Sequence, residues 1–341
     1  MGKKVNFSLL AIGTALSLVG TSVPVFAATN VNNNINKNQT TNSAIVKIIP
    51  GYIPNGVIVK TPPKGWNPLK ANSAKLKEYG IPLRPTKSSA LKKWEMAIGD
   101  PNWVSPSFGT SNLKADSQST NWSGVIQNSY SSRVVGWWNQ PWAYAPTSDR
   151  PAYSCTWVGM GGTTSTAPLV QAGVDSNINT NGSGQYNLWY EIVHTTKNTS
   201  YEVPVSGLNN QPGDQIYIDI SWTVNPSTNL GSANFYVHDL TNNNALSFAV
   251  SGIGNYAGIN SSSEWITERT TVSGSLWNMP DYNTVNWKGE WGNPSTLYYP
   301  GGNNVQYEWI SESNSNSTPL SVIGNYLNST GNFSTVWKNY N

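Results

Sequence analysis

Two carboxylates stand four residues apart in a short strand-like segment, residues 263–268, which reads Ser-Glu-Trp-Ile-Thr-Glu. Acidic side chains are uncommon in strands and costly to bury, so their presence in such a segment needs a reason. Because side chains alternate between the two faces of a strand, Glu264 and Glu268 point to the same face as Ile266. A surface with two carboxyl groups, in a chain poor in charge, is a candidate for acid–base chemistry or for ligand binding.

A second strand-like segment, residues 169–175, carries an amide and a carboxylate on one face. Alternation along the strand puts Gln171, Gly173 and Asp175 on that face. Gly173 leaves room beside Gln171 for another backbone or for a ligand. On spacing alone, the pattern is that of the polar outer face of an ordinary strand.

The residue types disfavour several other kinds of catalytic site. The chain has only two histidines and one cysteine, and it lacks the His, Cys and Glu spacing of a metal site, so we expect no metal and no cofactor. Two histidines and no Gly-x-Ser-x-Gly turn disfavour a Ser-His-Asp triad, and no glycine-rich loop opens a helix to hold a nucleotide. We expect Cys155, which has no partner for an intrachain disulfide, to be a small buried strand residue.

The elements that must position these residues are strands. From residue 119 onward, short runs of β-branched and aromatic residues recur between turns rich in Asn, Gly, Ser and Pro, and no long helical period interrupts them. This pattern predicts an all-β fold, an antiparallel double-sheet β-sandwich of jelly-roll type over residues 119–341. The predicted strands cover residues 133–138, 156–160, 169–174, 186–193, 215–224, 233–238, 247–250, 264–271, 305–310 and 320–326. Two helices are predicted before them, from residue 67 to 79 and from residue 88 to 98, the second ending at Gly99.

The N-terminal part of the chain predicts export and processing. Lys3 and Lys4 precede an apolar stretch over residues 5–19, and small residues favour cleavage after Ala27 or Ala28. We therefore expect residues 1–28 to be a signal peptide and the product to be secreted and extracellular, with no membrane span after processing. Residues 29–118 are predicted to be a basic, partly disordered prosegment with short helices.

Charge is divided between the two parts of the chain. Residues 1–118 carry 14 lysines and arginines against 4 acidic residues, whereas residues 119–341 carry 6 against 13. Opposite charges on the two parts suggest mutual attraction within one chain. A nucleic-acid partner is disfavoured, because the lysines are spread among prolines with few aromatic residues between them and the chain is predicted to be exported.

Five short segments, taken in order, resemble the glutamic peptidases, a family also called eqolisins. They are Thr-Asn-Trp-Ser-Gly at 120–124, Thr-Trp-Val-Gly at 156–159, Val-Gln-Ala-Gly-Val-Asp at 170–175, Trp-Tyr-Glu at 189–191, and the segment at 263–268. The resemblance implies a double-sheet β-sandwich and acid endopeptidase activity on protein or peptide substrates. It also implies a catalytic Gln–Glu pair, which maps onto Gln171 and Glu264.

The chemistry of peptide hydrolysis is compatible with these two residue types. As a carboxylate, Glu264 can take a proton from the attacking water and later deliver it to the leaving nitrogen. Gln171 can orient the water through its amide oxygen and donate from its amide nitrogen to the oxyanion. Since an amide does not titrate, Gln171 keeps this role in acid.

The resemblance also implies residues that support the site or bind substrate. These are Trp122, Trp157, Asp175, Tyr190, Glu191 and Glu268. For the two tryptophans, which resemble aromatic residues lining the family's cleft, the alternative is plain core packing. For the carboxylates it is a solvated or structurally paired group. One position departs from the family, which often has Asp two residues after the Gly of the Trp-Val-Gly segment, where this chain has Gly161.

The basic prosegment is a candidate intramolecular inhibitor. Its lysines could pair with carboxylates of the site at neutral pH, and protonation of those carboxylates in acid would weaken the pairing. The candidate lysines are Lys70, Lys75, Lys77, Lys92 and Lys93. The alternative is a basic region that only aids solubility or contacts the cell wall.

Two other functions are compatible with a sandwich rich in tryptophan and tyrosine. A glycoside hydrolase would use two carboxyl groups, Glu264 with Glu191, and would not need Gln171. A carbohydrate-binding or cell-wall protein would need neither Glu264 nor Gln171. We expect a monomer in each case.

Overall fold

The computed structural model of the chain describes residues 57–58, 62–86, 88–104, 106–108, 121–164, 166–197, 202–272, 275–288, 305–308, 310–313, 316–325 and 332–339. The predicted signal peptide lies outside these residues. The described residues form two large sheets that pack face to face, which confirms the predicted antiparallel β-sandwich.

The strands are numbered in chain order. Those before residue 120 are β1 (Val57–Ile58), β2 (Asn102–Trp103) and β3 (Ser107–Phe108). Then follow β4 (Trp122–Gln127), β5 (Arg133–Asn139), β6 (Ser154–Gly161), β7 (Leu169–Asp175), β8 (Asn177–Ile178), β9 (Gly184–Gln185), β10 (Leu188–Val193) and β11 (Val203–Ser206). The remaining strands are β12 (Gln215–Asn225), β13 (Leu230–Asp239), β14 (Asn244–Ile253), β15 (Ser263–Arg269), β16 (Thr271–Val272), β17 (Ser275–Leu276), β18 (Thr284–Trp287), β19 (Val305–Glu308), β20 (Ile310–Ser313), β21 (Asn316–Ile323) and β22 (Phe333–Trp337).

Within the described part of the chain, one large sheet has ten strands and the other has eight. The ten-stranded sheet has the order β1-β14-β13-β12-β5-β18-β22-β21-β20, with β2 added beside β14. The eight-stranded sheet has the order β19-β4-β15-β6-β7-β10-β11-β3. All pairs in the two sheets are antiparallel except β2 with β14.

The main core lies between the two sheets. Valine, isoleucine and aromatic side chains from the facing surfaces of both sheets form one buried cluster. Trp265 on β15 crosses this core, and its Nε1 donates a hydrogen bond to the carbonyl oxygen of Val135 on β5, 2.6 Å away. Strands β6, β7 and β15 are buried along their whole length, on both faces. The outer face of the eight-stranded sheet carries a second apolar cluster, built around Trp122, Trp157 and Trp189.

The described residues before β4 form a helical layer on the ten-stranded sheet. It contains a 3-10 turn (Pro68–Lys70) and helices α1 (Ser73–Glu78) and α2 (Ser88–Ile98). The layer packs on the outer face of the ten-stranded sheet, which points away from the core between the sheets. The predicted bounds of α2 are confirmed.

The prediction of one continuous helix from residue 67 to 79 is wrong, because Ala71 and Asn72 separate the 3-10 turn from α1. Ala71 has an extended conformation, and the Asn72 side chain accepts a hydrogen bond from the backbone N–H of Lys75 at 2.9 Å. Asn72 therefore acts as the N-cap of a new helix, a role that asparagine fills well.

No helix among the described residues is both long and apolar enough to cross a membrane.

Candidate active site

Strand register aligns the candidate catalytic residues in one row. Along β15, β6, β7 and β10, the residues opposite each other are Glu264, Gly159, Gln171 and Glu191. Side chains directly opposite in antiparallel pairs share a face, so these residues all point to the outer face of the eight-stranded sheet. Glu264 and Gln171 are two strands apart, which corresponds to roughly 9.6 Å between their backbones at ~4.8 Å per strand.

Gly159 on β6 lies between Glu264 and Gln171 in this row and contributes no side chain there. A Cβ atom at this position would lie 2.9 Å from Trp157 Cζ3 and 3.1 Å from Gln171 Cβ. The edge of the Trp157 indole therefore reaches over Gly159. Any larger residue would collide with this ring and fill the space between the amide and the carboxylate.

Gln171 is held by the neighbouring strand. Its Nε2 donates a hydrogen bond to Glu191 Oε2 at 2.6 Å, and both side chains are buried. No described residue donates a hydrogen bond to Gln171 Oε1. The contact with Glu191 fixes which end of the amide is nitrogen and leaves the amide oxygen available.

Glu264 is fully buried, with 0% of its surface exposed. Neither carboxylate oxygen has a hydrogen-bond partner of normal geometry among the described residues. Burial raises the pKa of Glu264 well above 4.5, against a smaller opposing contribution from the Ser262 hydroxyl. A carboxyl group in such surroundings keeps its proton to a higher pH than an exposed one does, and it can accept a proton only after it has lost its own.

Glu268 has a different environment from Glu264, although both lie on β15. Its Oε2 accepts a hydrogen bond from Trp157 Nε1 at 2.7 Å, and its Oε1 accepts one from the Asn121 amide. Trp122 packs on Trp157 in a T-shaped contact with ring centroids 5.0 Å apart. Glu268 therefore orients Trp157, and through this ring it shapes the space above Gly159.

The row that contains Glu268 ends in a cluster of acidic residues. Cys155 is opposite Glu268, and Asp175 is opposite Cys155 on the next strand. Glu202, just before β11, lies close enough to interact with the carboxyl groups of Asp175 and Glu268. Burial raises the pKa of Glu268 to about 8 and of Glu202 to about 7, and burial with the Glu202 charge raises that of Asp175. Cys155 is buried, as predicted, and burial raises the pKa of its thiol. Sequence reasoning missed Glu202, because it lies outside the five recognised segments.

Tyr190 does not lie on the face that carries Gln171. It points into the core between the sheets and packs on Phe235 and Phe248, with ring centroids 5.5 and 5.2 Å away. The reason is strand alternation, which puts Glu191 and Trp189 on the outer face and Tyr190 on the inner one. Trp189, which sequence reasoning did not select, is the residue of this segment that shares the face with Gln171.

The position where the family often has Asp cannot hold that residue in this backbone. Gly161 has a φ of +88°, and a Cβ atom there would lie 2.1 Å from the carbonyl oxygen of Pro168. The departure is therefore part of the local fold, because the turn after β6 requires glycine at this point.

The lysines predicted to face the carboxylates lie elsewhere. Lys75 pairs with Glu78 of its own helix at 2.7 Å, and Lys70, Lys77 and Lys92 are exposed. Within the described residues, none of them forms an ion pair with a carboxylate of the site. The predicted pairing is not found, because the helical layer packs on the other sheet. The side chain of Lys93 lies outside the described residues.

The Glu264 carboxyl group can transfer protons, and the Gln171 amide can donate and accept hydrogen bonds, so the site can support acid–base chemistry. A carboxyl group and an amide lie on the same face, on either side of a strand that has glycine between them, and both are buried. Among the residues described, no group of three or more His, Cys, Asp or Glu side chains could hold a metal ion.

Comparisons with known proteins relate the chain to peptidases. The Peptidase A4 family matches residues 120–293. Among solved structures, the chain is similar to scytalido-glutamic peptidase with a transition state analog inhibitor, with a TM-score of 0.49, 18% identity and coverage of 64% of this chain and 98% of that one. It is also similar to aspergilloglutamic peptidase from Aspergillus niger, with a TM-score of 0.44, 21% identity and coverage of 55% and 99%. No curated protein matches the chain.

Proposed function

Since the chain belongs to the Peptidase A4 family, that of the glutamic peptidases or eqolisins, we propose that Gln171 and Glu264 are its catalytic pair. Family membership makes the protein a glutamic endopeptidase, a hydrolase of peptide bonds. The observation that carries the proposal is the shared register row, in which Gly159 separates the two side chains on one face. Gly159 puts no side chain of its own between the pair, and the edge of the Trp157 ring lies over it, so water and a peptide carbonyl could reach the pair only where this ring gives way.

In the proposed mechanism, Glu264 as a carboxylate accepts a proton from water while the water oxygen bonds to the carbonyl carbon. The Gln171 amide nitrogen carries two hydrogens. One of them is hydrogen-bonded to Glu191 Oε2, and the second donates a hydrogen bond to the developing oxyanion. Glu264 then gives its proton to the peptide nitrogen as the C–N bond breaks, which returns both residues to their starting states.

We further propose that the chain is made as a secreted precursor and acts in acid. The support is the burial of the pair in the full chain, where Glu264 is 0% and Gln171 2% exposed. A substrate peptide can reach these residues only after part of the chain moves away. The helical layer is not that part, because it packs on the other sheet.

The test is hydrolysis of casein by the wild type and by three variants, after incubation in acid. Gln171→Ala and Glu264→Ala should each lower kcat by about 1,000-fold or more, since each removes a group that acts on the reacting atoms. Glu95→Ala, which removes an exposed carboxylate on α2, is the matched control and should retain wild-type activity.

The outcome separates the proposal from its alternatives. Full proteolysis by Glu264→Ala would contradict the catalytic pair. Cleavage of a polysaccharide that survives Gln171→Ala but not Glu264→Ala would instead indicate a glycoside hydrolase. Proteolysis lost in Glu264→Ala alone would keep the glutamate as catalyst and remove Gln171 from the pair.

A further inference from the structure

The outer face of the ten-stranded sheet is apolar and aromatic where the helical layer covers it. Buried side chains from four of its strands contact the layer; they are Val135, Trp137, Tyr217, Tyr236 and Ala245. The layer contributes Leu76, Tyr79, Ile81, Trp94, Ala97 and Ile98 to the same cluster. Trp94, 1% exposed, also donates from Nε1 to the carbonyl oxygen of Pro82, which fixes the ring against the sheet. Without the layer this apolar face would be exposed to water, and exposed apolar faces are sites of association with other proteins.

Polar contacts tie the layer to the same face. Ser247 Oγ donates to the carbonyl oxygen of Tyr79 at 2.7 Å, just after α1. His238 Nδ1 lies 2.7 Å from the carbonyl oxygen of Ala97, in the last turn of α2. Both sheet residues are buried. Without the layer, these side chains would lose hydrogen-bond partners, and their apolar neighbours would be exposed to water.

The short strands before residue 109 cover one edge of each sheet. β1 and β2 pair with β14, the last long strand of the ten-stranded sheet, at its two ends. β3 pairs with β11, the corresponding strand of the eight-stranded sheet. Unpaired edge strands are templates for association with other chains, so this segment protects the sandwich at both sheets.

The matched family region starts at residue 120, so the layer and its edge strands lie outside the part that the family shares. From these contacts we infer that the segment from residue 57 to residue 108, the helical layer with strands β1 to β3, is a permanent part of the folded enzyme. The segment stays bound to the outer face of the ten-stranded sheet after any cleavage between it and β4. The mature protein is then a complex of two chains, and removal of an inhibitor does not include removal of this layer.

The test cuts the chain and asks whether the two pieces separate. A recognition sequence for a site-specific protease is inserted between residues 108 and 121 of the full chain, and circular dichroism verifies that the uncut protein is folded. After cleavage, size-exclusion chromatography at acid and at neutral pH, with mass spectrometry of each fraction, should find both pieces together in a 1:1 ratio. Elution of the N-terminal piece alone, whether the remainder is soluble or aggregated, would overturn the inference.

Variants on α2 identify what holds the pieces together. In the cut protein, Trp94→Ala should speed dissociation by about a hundredfold, because a large buried ring is lost from the interface. Lys92→Ala, exposed on the same helix, is the matched control and should leave the rate unchanged. Equal rates for the two variants would overturn the role of the buried face. If Trp94→Ala fails to fold, Ser247→Ala removes a single contact to the layer and should also speed dissociation. None of these measurements uses activity, so they are independent of the proposed catalytic pair.

Discussion

Glu264 and Glu268 occupy the same face of one strand, four residues apart, but their hydrogen bonds give them different roles. Glu268 accepts from Trp157 and Asn121, so its oxygens are already used by the protein. Glu264 has no such partners among the described residues, although it is fully buried. A buried polar group without partners is costly, and such costs are retained at functional sites. This contrast favours Glu264 as the catalyst and Glu268 as a residue that positions Trp157.

Substitutions of Glu268 should separate positioning from charge. Glu268→Gln keeps an oxygen that can accept from Trp157 Nε1, so kcat/KM should remain within about threefold of the wild type. Glu268→Leu removes the acceptor and lets the indole turn, so kcat/KM should fall by about 10- to 100-fold. Steady-state kinetics on a peptide substrate, with near-UV circular dichroism to follow the indole, measures both effects. Equal losses in the two variants would contradict a positioning role.

The protonation state of Glu264 should depend on whether the site is closed. In the intact chain, burial raises its pKa well above 4.5, so the group should still carry its proton at pH 5. Contact with water after the site opens should lower this pKa toward its ordinary value of about 4.3. Difference infrared spectroscopy of wild type against Glu264→Gln reports the protonated carboxyl group in the intact chain. The acid limb of kcat/KM for the active enzyme should lie at lower pH, and an ionised Glu264 at pH 5 in the intact chain would refute the effect of burial.

At the scale of elements, the site depends on three adjacent strands and on a glycine in the middle one. β6 lies between β15 and β7, and it contributes no side chain at the point where Glu264 and Gln171 face each other. The opposite face of β6 packs in the core between the sheets, with Val158 fully buried. One strand therefore supports the fold with one face and leaves space for chemistry on the other.

Two substitutions at neighbouring positions of β6 should affect different properties, one the activity and the other the stability. Gly159→Ala pushes a methyl group to within 2.9 Å of the Trp157 ring and into the space between the pair, so kcat/KM should fall by about 100-fold or more. Val158→Ala removes core volume from the other face and should lower the free energy of unfolding by about 1–3 kcal/mol while activity is retained. Kinetics and chemical denaturation of both variants provide the comparison. An active Gly159→Ala enzyme would show that this space is not used.

At the scale of the whole molecule, several carboxyl groups are buried on one face of one sheet. Burial raises the pKa of Asp175, Glu202, Glu264 and Glu268, so the folded protein binds their protons more tightly than the unfolded chain does. The stability that these groups contribute is fully present below about pH 4, where both states are protonated. It is lost as pH rises through the folded values of about 7 for Glu202 and about 8 for Glu268. His238, whose pKa burial lowers, has the opposite dependence.

The free energy of unfolding should therefore be larger at pH 5 than at pH 8. Each group that keeps its proton only in the folded state contributes a slope of up to about 1.4 kcal/mol per pH unit. Chemical denaturation across this range measures the slope, and Glu268→Gln, which cannot titrate, should flatten it. A stability that rises from pH 5 to pH 8 in the wild type would contradict the prediction.

Local patterns determined the elements and the face of each side chain. Alternation placed Glu264 with Glu268 and Gln171 with Asp175, and the apolar period with a terminal glycine placed α2. Along β10, the same alternation puts Trp189 on the face of Gln171 and Tyr190 on the opposite face. The prosegment boundary near residue 118 remains a prediction about processing, although the described residues before it pack on the sandwich.

Only the tertiary structure decided which residues meet. The row of Glu264, Gly159, Gln171 and Glu191 depends on the register of four strands that are distant in sequence, and pairing between strands is not encoded in any local period. Burial of the pair and the position of the helical layer are likewise products of packing between distant segments. The charge pattern alone suggested that the lysines face the carboxylates, but apolar contacts hold their helices on the other sheet, because burial of aromatic side chains outweighs attraction between exposed charges.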